Sequence, residues 1–203
     1  MLFPVILFAA FLLEDALALA GLARRAQNVI IGYRTCSEEQ ARRYNKQGTL
    51  TDDGNQISTQ IGMGVYTTPD AGGWKGSQDS WYCVILADSD ALDRVSKVWV
   101  PETYSGNQLW YRNDAIDSYI QNDINQTWDP AKTLRMSIMS GGPKELQLVI
   151  PPGLLNGNGG AMGIVAICEP TLDSLPSQTV DYDNWQDNIG GSRTDPYPDS
   201  IWY

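Results

Sequence analysis

No histidine occurs anywhere in the 203 residues. That absence removes Ser–His and Cys–His nucleophile pairs and every His-ligated metal at once. Whatever chemistry the chain performs must run on carboxylates, amides, hydroxyls, Arg or Lys. Cysteine is sparse: Cys36, Cys83 and Cys168 are far apart in sequence, which argues against a structural zinc site and allows one disulfide with one thiol left over. Positive charge is also in short supply. Fourteen Lys and Arg stand against twenty-four Asp and Glu, a net charge of −10. A surface of that sign excludes nucleic-acid backbones and anionic membranes as natural partners. The deficit is uneven, because from Glu169 onward seven acidic residues face Arg193 alone.

Long hydrophobic runs are missing except at the start. Leu2–Leu13 is almost unbroken hydrocarbon, followed by Glu14, Asp15 and small residues in an A-x-A pattern ending at Ala20. A bilayer span takes about 20 apolar residues, so residues 1–20 read as a secretory signal rather than an anchor. The dibasic pair Arg24–Arg25 then marks either a short pro-segment over 21–25 or two ordinary surface arginines. Asn125-Gln126-Thr127 is an N-glycosylation sequon, a feature that matters outside the cytosol. Together these features predict a secreted, extracellular protein with no membrane anchor.

The main domain is expected over 26–168, followed by an acidic tail over 169–203 that is either flexible or strapped across the domain. Asn28–Arg34 reads as a buried strand. Ser37 to Gln40 form a capping box opening a helix that Gly48 closes. Residues 49–60 are a polar loop, 64–68 a short strand, and 72–76 another loop. Trp81–Ala87 (WYCVILA) has the continuous apolar pattern of a central strand. Asp88 and Asp90 look like a helix-cap cluster, and 97–101 like a further strand. Helices are expected over 114–124 and from Asp129-Pro130 to the glycines at 141–142. Strands at 145–150 and 162–168 complete an α+β pattern. The strands carrying Cys83 and Cys168 can lie side by side, which would leave Cys36 as the odd thiol, although spacing alone does not fix the pairing.

Three segments carry the functional signal. Gly32-Tyr33-Arg34-Thr35 ends the first strand. Ser58-Thr59-Gln60 leads into Gly62-Met63-Gly64-Val65-Tyr66. Glu145-Leu146-Gln147-Leu148-Val149-Ile150-Pro151 forms a late strand. In this order and spacing they resemble the ADP-ribosyltransferase superfamily, which includes bacterial toxin enzymes and poly-ADP-ribose polymerases. The resemblance covers residues 28–151. It implies a split β-sheet core with short flanking helices, and NAD as the substrate whose nicotinamide–ribose bond is cut, with no metal. Arg34 and Thr35 would hold a phosphate or ribose of NAD, since a guanidinium grips phosphate oxygens in pairs. Ser58 and Thr59 match the toxin-branch Ser-Thr-Ser, and Tyr66 matches the polymerase-branch tyrosine that stacks on nicotinamide.

The resemblance gives the last strand the catalytic carboxylate, which stabilises the positive charge developing on the ribose. Counting back from Pro151 puts Gln147 in the catalytic place and Glu145 in the accessory one. Residues two apart on a strand share a face, roughly 6.6 Å from each other. If Glu145 reaches the ribose, the chain is an enzyme whose acceptor is water or a protein side chain, of a host or a competitor. If it does not, the chain is a non-catalytic effector of the same fold. A third reading, a carbohydrate-directed protein, draws on Trp74, Trp81, Trp99 and Trp110, for which core or rim packing is the plainer account.

Overall fold

The computed structural model describes residues 27–52, 59–141 and 145–193. The signal, the dibasic pair and Ser58 lie outside the described residues.

The β-branched run after Asn28 extends further than its apolar part, giving β1 (Asn28–Ser37). Ser37 then caps α1 (Glu38–Gln47), its hydroxyl accepting from Gln40 N at 3.3 Å. Glu38 and Glu39 occupy the first turn and Lys46 the last, which suits the helix dipole. Only half of the capping box forms, because the Gln40 side chain donates to Tyr44 Oη at 2.8 Å instead of reaching back. Gly48 closes the helix at φ 68°, a left-handed conformation that glycine adopts without strain.

The next elements are β2 (Val65–Thr67), β3 (Ser80–Asp88), α2 (Ser89–Arg94) and β4 (Lys97–Trp99). Asp88 caps α2 by accepting from Ala91 N at 2.8 Å, as its place in the sequence suggests. A small hairpin, β5 (Thr103–Tyr104) and β6 (Asn107–Gln108), leads to α3 (Asn113–Ser118), which runs directly into a π-helical stretch at Tyr119–Ile124. The late strands are β7 (Leu134–Ile138), β8 (Leu146–Ile150), β9 (Val165–Glu169) and β10 (Ile189–Gly190).

The helix expected from Asp129 to the glycines is not there. Asp129 does act as a cap, accepting from Ala131 N at 2.9 Å, but it opens a single 3-10 turn, Pro130–Lys132. From Leu134 the chain is β7, all five residues buried, with β4 parallel on one side and β8 antiparallel on the other. Two flanking ladders outweigh the local helix-start signal, and a short apolar run cannot be assigned by periodicity alone.

The strands form two main sheets, β1-β3-β9 and β10-β4-β7-β8-β2, joined where β1 touches β2. There Tyr33 and Thr68 exchange backbone hydrogen bonds, each 2.8 Å long. The approach is close: a Cβ on Gly32 would stand 2.5 Å from Thr67 Oγ1. The larger core draws Ile31 and Ile85 from the first sheet, Met136 and Ile150 from the second, and Tyr44 from α1. The opposite face of the larger sheet, with Tyr66, Val98 and Val149, packs on Ile116, Tyr119 and Ile120 of the α3–π segment. The architecture is α+β.

Cys83 and Cys168 are register partners on β3 and β9 and form a disulfide; Cys36, outside it, places Sγ 3.7 Å from Cys83 Sγ. A disulfide suits an oxidising compartment.

As far as Arg193 the acidic tail lies across the domain. Residues 169–193 are a strap. Val180 N donates to Pro69 O at 3.0 Å, and β10 adds a parallel strand to β4. Tyr182 is fully buried, with its hydroxyl 3.1 Å from Ile31 O. Buried Lys97 anchors the far end through Nζ to Asp187 O at 2.8 Å.

Candidate functional site

One cross-strand row organises the site. Tyr66 faces Val149, Val149 faces Arg135, and Arg135 faces Val98. Arg135 is buried, and burial lowers its pKa against the opposing pull of Asp117. Its Nη2 donates to Asp117 Oδ1 at 2.8 Å and Pro130 O at 3.0 Å, and Nη1 to Ile61 O at 3.3 Å. The guanidinium fills the space beside Gly62, where a Cβ would lie 1.7 Å from Nη1. Gly62 also has φ 101°, so glycine is required there twice over.

That loop holds the Tyr66 hydroxyl, which accepts from Ile61 N at 3.0 Å and donates to Gly62 O at 2.8 Å. Burial raises its pKa. The Tyr66 ring stacks on Trp74, centroids 6.0 Å apart, and Trp74 in turn donates from Nε1 to Met139 Sδ at 2.6 Å. Arg34 comes from β1 to the back of the same strand, Nη1 donating to Tyr66 O at 2.9 Å. Its Nε is buried and has no hydrogen-bond partner. Thr35 Oγ1 donates to Trp74 O at 2.8 Å. Thr59 Oγ1 lies 3.5 Å from Asn113 Oδ1, a marginal contact.

Gln147 and Glu145 part company. Gln147 is buried, and its Nε2 donates to Gln60 Oε1 at 2.7 Å. Gln60 is pinned on both atoms, accepting from Ser140 N at 2.8 Å and donating to Ile138 O at 2.8 Å. Gln147 is thus a fixed structural amide. Glu145, just ahead of β8, is exposed and lines a groove of about 700 Å3 with Asp70, Thr179, Asp181, Tyr182 and Arg193. Neither Arg34 nor Tyr66 lines that groove, although Met139 does and so connects it to Trp74.

The structure therefore joins Arg34, Thr35 and Tyr66 around the 62–74 segment, which includes β2, and sets Glu145 in the neighbouring groove. Sequence reading did not single out Arg135 or Tyr182 as site residues, and placed Gln60 in the Ser58-Thr59-Gln60 motif without a role of its own. A charged residue in the apolar run Leu134–Ile138 was the available signal for Arg135. Trp99 and Trp110 are buried and cannot stack on sugars.

Fold and site together define a small α+β domain in which two sheets meet at the strand pair that carries the arginine and tyrosine motifs. The chain belongs to a family of unknown function (DUF5910), whose pattern matches residues 59–192. That span takes in Thr59, Tyr66, Glu145, Gln147 and nearly all of the described strap, while Arg34 and Thr35 precede it. No curated protein and no solved structure matches the chain. Among the described residues no helix is long and apolar enough to cross a membrane, and no group of three or more His, Cys, Asp or Glu is placed to hold a metal.

Proposed function

We propose that this protein is a secreted enzyme of the ADP-ribosyltransferase type that splits the nicotinamide–ribose bond of NAD. One observation carries the reading: the three motif strands are consecutive neighbours, β1 bridged to β2 at Tyr33 and Thr68, and β2 paired with β8. Tyr33 and Thr68 are 35 residues apart in sequence and Tyr66 and Val149 are 83 apart, so β2 brings all three motif strands into one neighbourhood. The unpartnered, buried Nε of Arg34 fits an anionic group such as the NAD diphosphate. Half-buried Trp74, stacked on the buried ring of Tyr66, offers the aromatic surface for nicotinamide.

In this mechanism the bond from ribose C1′ to the nicotinamide nitrogen breaks and its electron pair leaves with nicotinamide. The Glu145 carboxylate stabilises the positive charge left on the ribose. Water or a protein side chain then adds to C1′ and loses a proton. A disulfide-stabilised domain with an export signal suits work outside the cell.

The fixed Gln147–Gln60 amide pair favours a second reading, a non-catalytic member of the same fold that binds NAD or a protein partner. Incubating the mature domain with NAD and measuring free nicotinamide, alongside calorimetry, separates the two. Release that Glu145→Gln abolishes supports the enzyme. Binding without release supports the second reading, and neither binding nor release sinks the enzyme and the NAD-binding form of the second reading.

A further inference from the structure

We infer that Asn125 is a glycan-bearing residue, modified on Nδ2 with an N-linked oligosaccharide. The inference does not depend on the NAD reading, since Asn125 does not line the groove that holds Glu145. Asn125-Gln126-Thr127 is the one Asn-X-Ser/Thr sequence in the 203 residues.

The local geometry leaves the right nitrogen available. Asn125 ends the π-helical stretch with an extended backbone, φ −157° and ψ 116°, and turns the chain outward so that Gln126 and Thr127 are exposed. Its Oδ1 accepts from Thr127 N at 3.0 Å and from Thr127 Oγ1 at 2.7 Å. Among the described residues those are its only side-chain hydrogen bonds, and both use the oxygen. Other asparagines are spent differently: Nδ2 of Asn45 donates to Cys168 O at 2.8 Å, that of Asn156 to Ile164 O at 2.9 Å, and that of Asn188 to Asp93 O at 2.8 Å. At Asn125 a sugar can replace one N–H without breaking a bond of the turn. The threonine hydroxyl on Oδ1 also polarises the amide, which makes its N–H more acidic.

The donor is a lipid-diphosphate-linked oligosaccharide. A bond forms from Nδ2 to the sugar C1, the C1–oxygen bond to the diphosphate breaks, and the lipid diphosphate leaves as an anion. The amide proton passes to a base of the transferase.

The test uses the full chain expressed in cultured insect or mammalian cells, with both medium and membrane fraction collected. N-glycosidase treatment is expected to produce one downward mobility step, and peptide mapping to find Asn125 converted to Asp. Asn125→Gln and Thr127→Ala should each remove the step, while Thr127→Ser should keep it. A chain of unshifted mobility in both fractions, with an unmodified Asn125 peptide, overturns the assignment. So does a step that survives Asn125→Gln.

Discussion

Gln147 Nε2 lies 2.7 Å from Gln60 Oε1, a contact across 87 residues of chain that ties β8 to the loop ahead of β2. It also fixes what the site can become. A glutamate at 147 would restore the carboxylate expected at that place, yet Gln60 cannot welcome it. Rotating the Gln60 amide to offer a donor would abandon Ser140 N and set Nε2 against it, while removing the donor from Ile138 O. Gln147→Glu is therefore expected to destabilise the domain by about 3 kcal/mol, the scale for a buried polar group left facing its own kind. Urea unfolding measures this. An unchanged midpoint, or a gain in nicotinamide release, would show that the amide pair does not constrain the site.

The Cys83–Cys168 disulfide closes a long loop, with a sequence separation of 85, and ties the middle strand of the smaller sheet to its edge. Replacing both cysteines with alanine should cost about 4.5 kcal/mol on the loop-entropy account. Cys36 Sγ sits 3.7 Å from Cys83 Sγ, so its thiolate has a disulfide sulfur within reach. Non-reducing peptide maps at neutral pH should show Cys83 linked to Cys168. Alkaline incubation should add a Cys36–Cys83 species that Cys36→Ser eliminates. A neutral map with Cys36 in the main linkage would contradict this pairing.

Tyr182 makes the strap part of the fold. Its ring is fully buried against Trp185, centroids 4.9 Å apart, and its hydroxyl reaches Ile31 O at 3.1 Å. Tyr182→Ala should cost about 3–5 kcal/mol, as large aromatic truncations in cores do. Tyr182→Phe should cost about 1 kcal/mol, the worth of a single hydrogen bond. Chemical denaturation of both variants checks the ratio. Equal and negligible effects would mean that the strap does not hold the domain.

These residues also show what sequence could and could not reveal. Strands with their own signal were legible: the continuous apolar run of β3, the β-branched start of β1, and the Ser37, Gly48 and Asp88 caps are local chemistry. β7 was not, because its identity comes from two neighbours that lie far off in sequence. Arg135 and Gln60 were missed for the same reason, since a buried polar side chain is explained only by its partners. The strap was half legible: polar composition hid a segment held by Val180 and Tyr182. Of the candidate site, the order of the Arg34, Tyr66 and Glu145 segments along the chain was legible, but the separation of Glu145 from buried Gln147 was not.

Buried phenols set the alkaline limit of the fold. Burial raises the pKa of Tyr66 and Tyr182 above the ordinary 10.0, and that of Tyr119 to about 12. Above pH 10 the unfolded chain has already lost these protons while the folded chain keeps them. The unfolded state then binds fewer protons, so stability falls as pH rises from about 10 through the folded pKa values. Lys97 and Arg135 work the other way, since burial lowers their pKa and deprotonation relieves the cost, but they are two groups against these three phenols and Tyr33. Urea midpoints should therefore fall steeply from pH 10 to pH 12. Tyrosinate absorbance should rise cooperatively with unfolding rather than ahead of it, and Tyr182→Phe should flatten the decline. Tyrosinate forming in the folded protein near pH 10, before any loss of structure, would mean that these rings are not sealed from water.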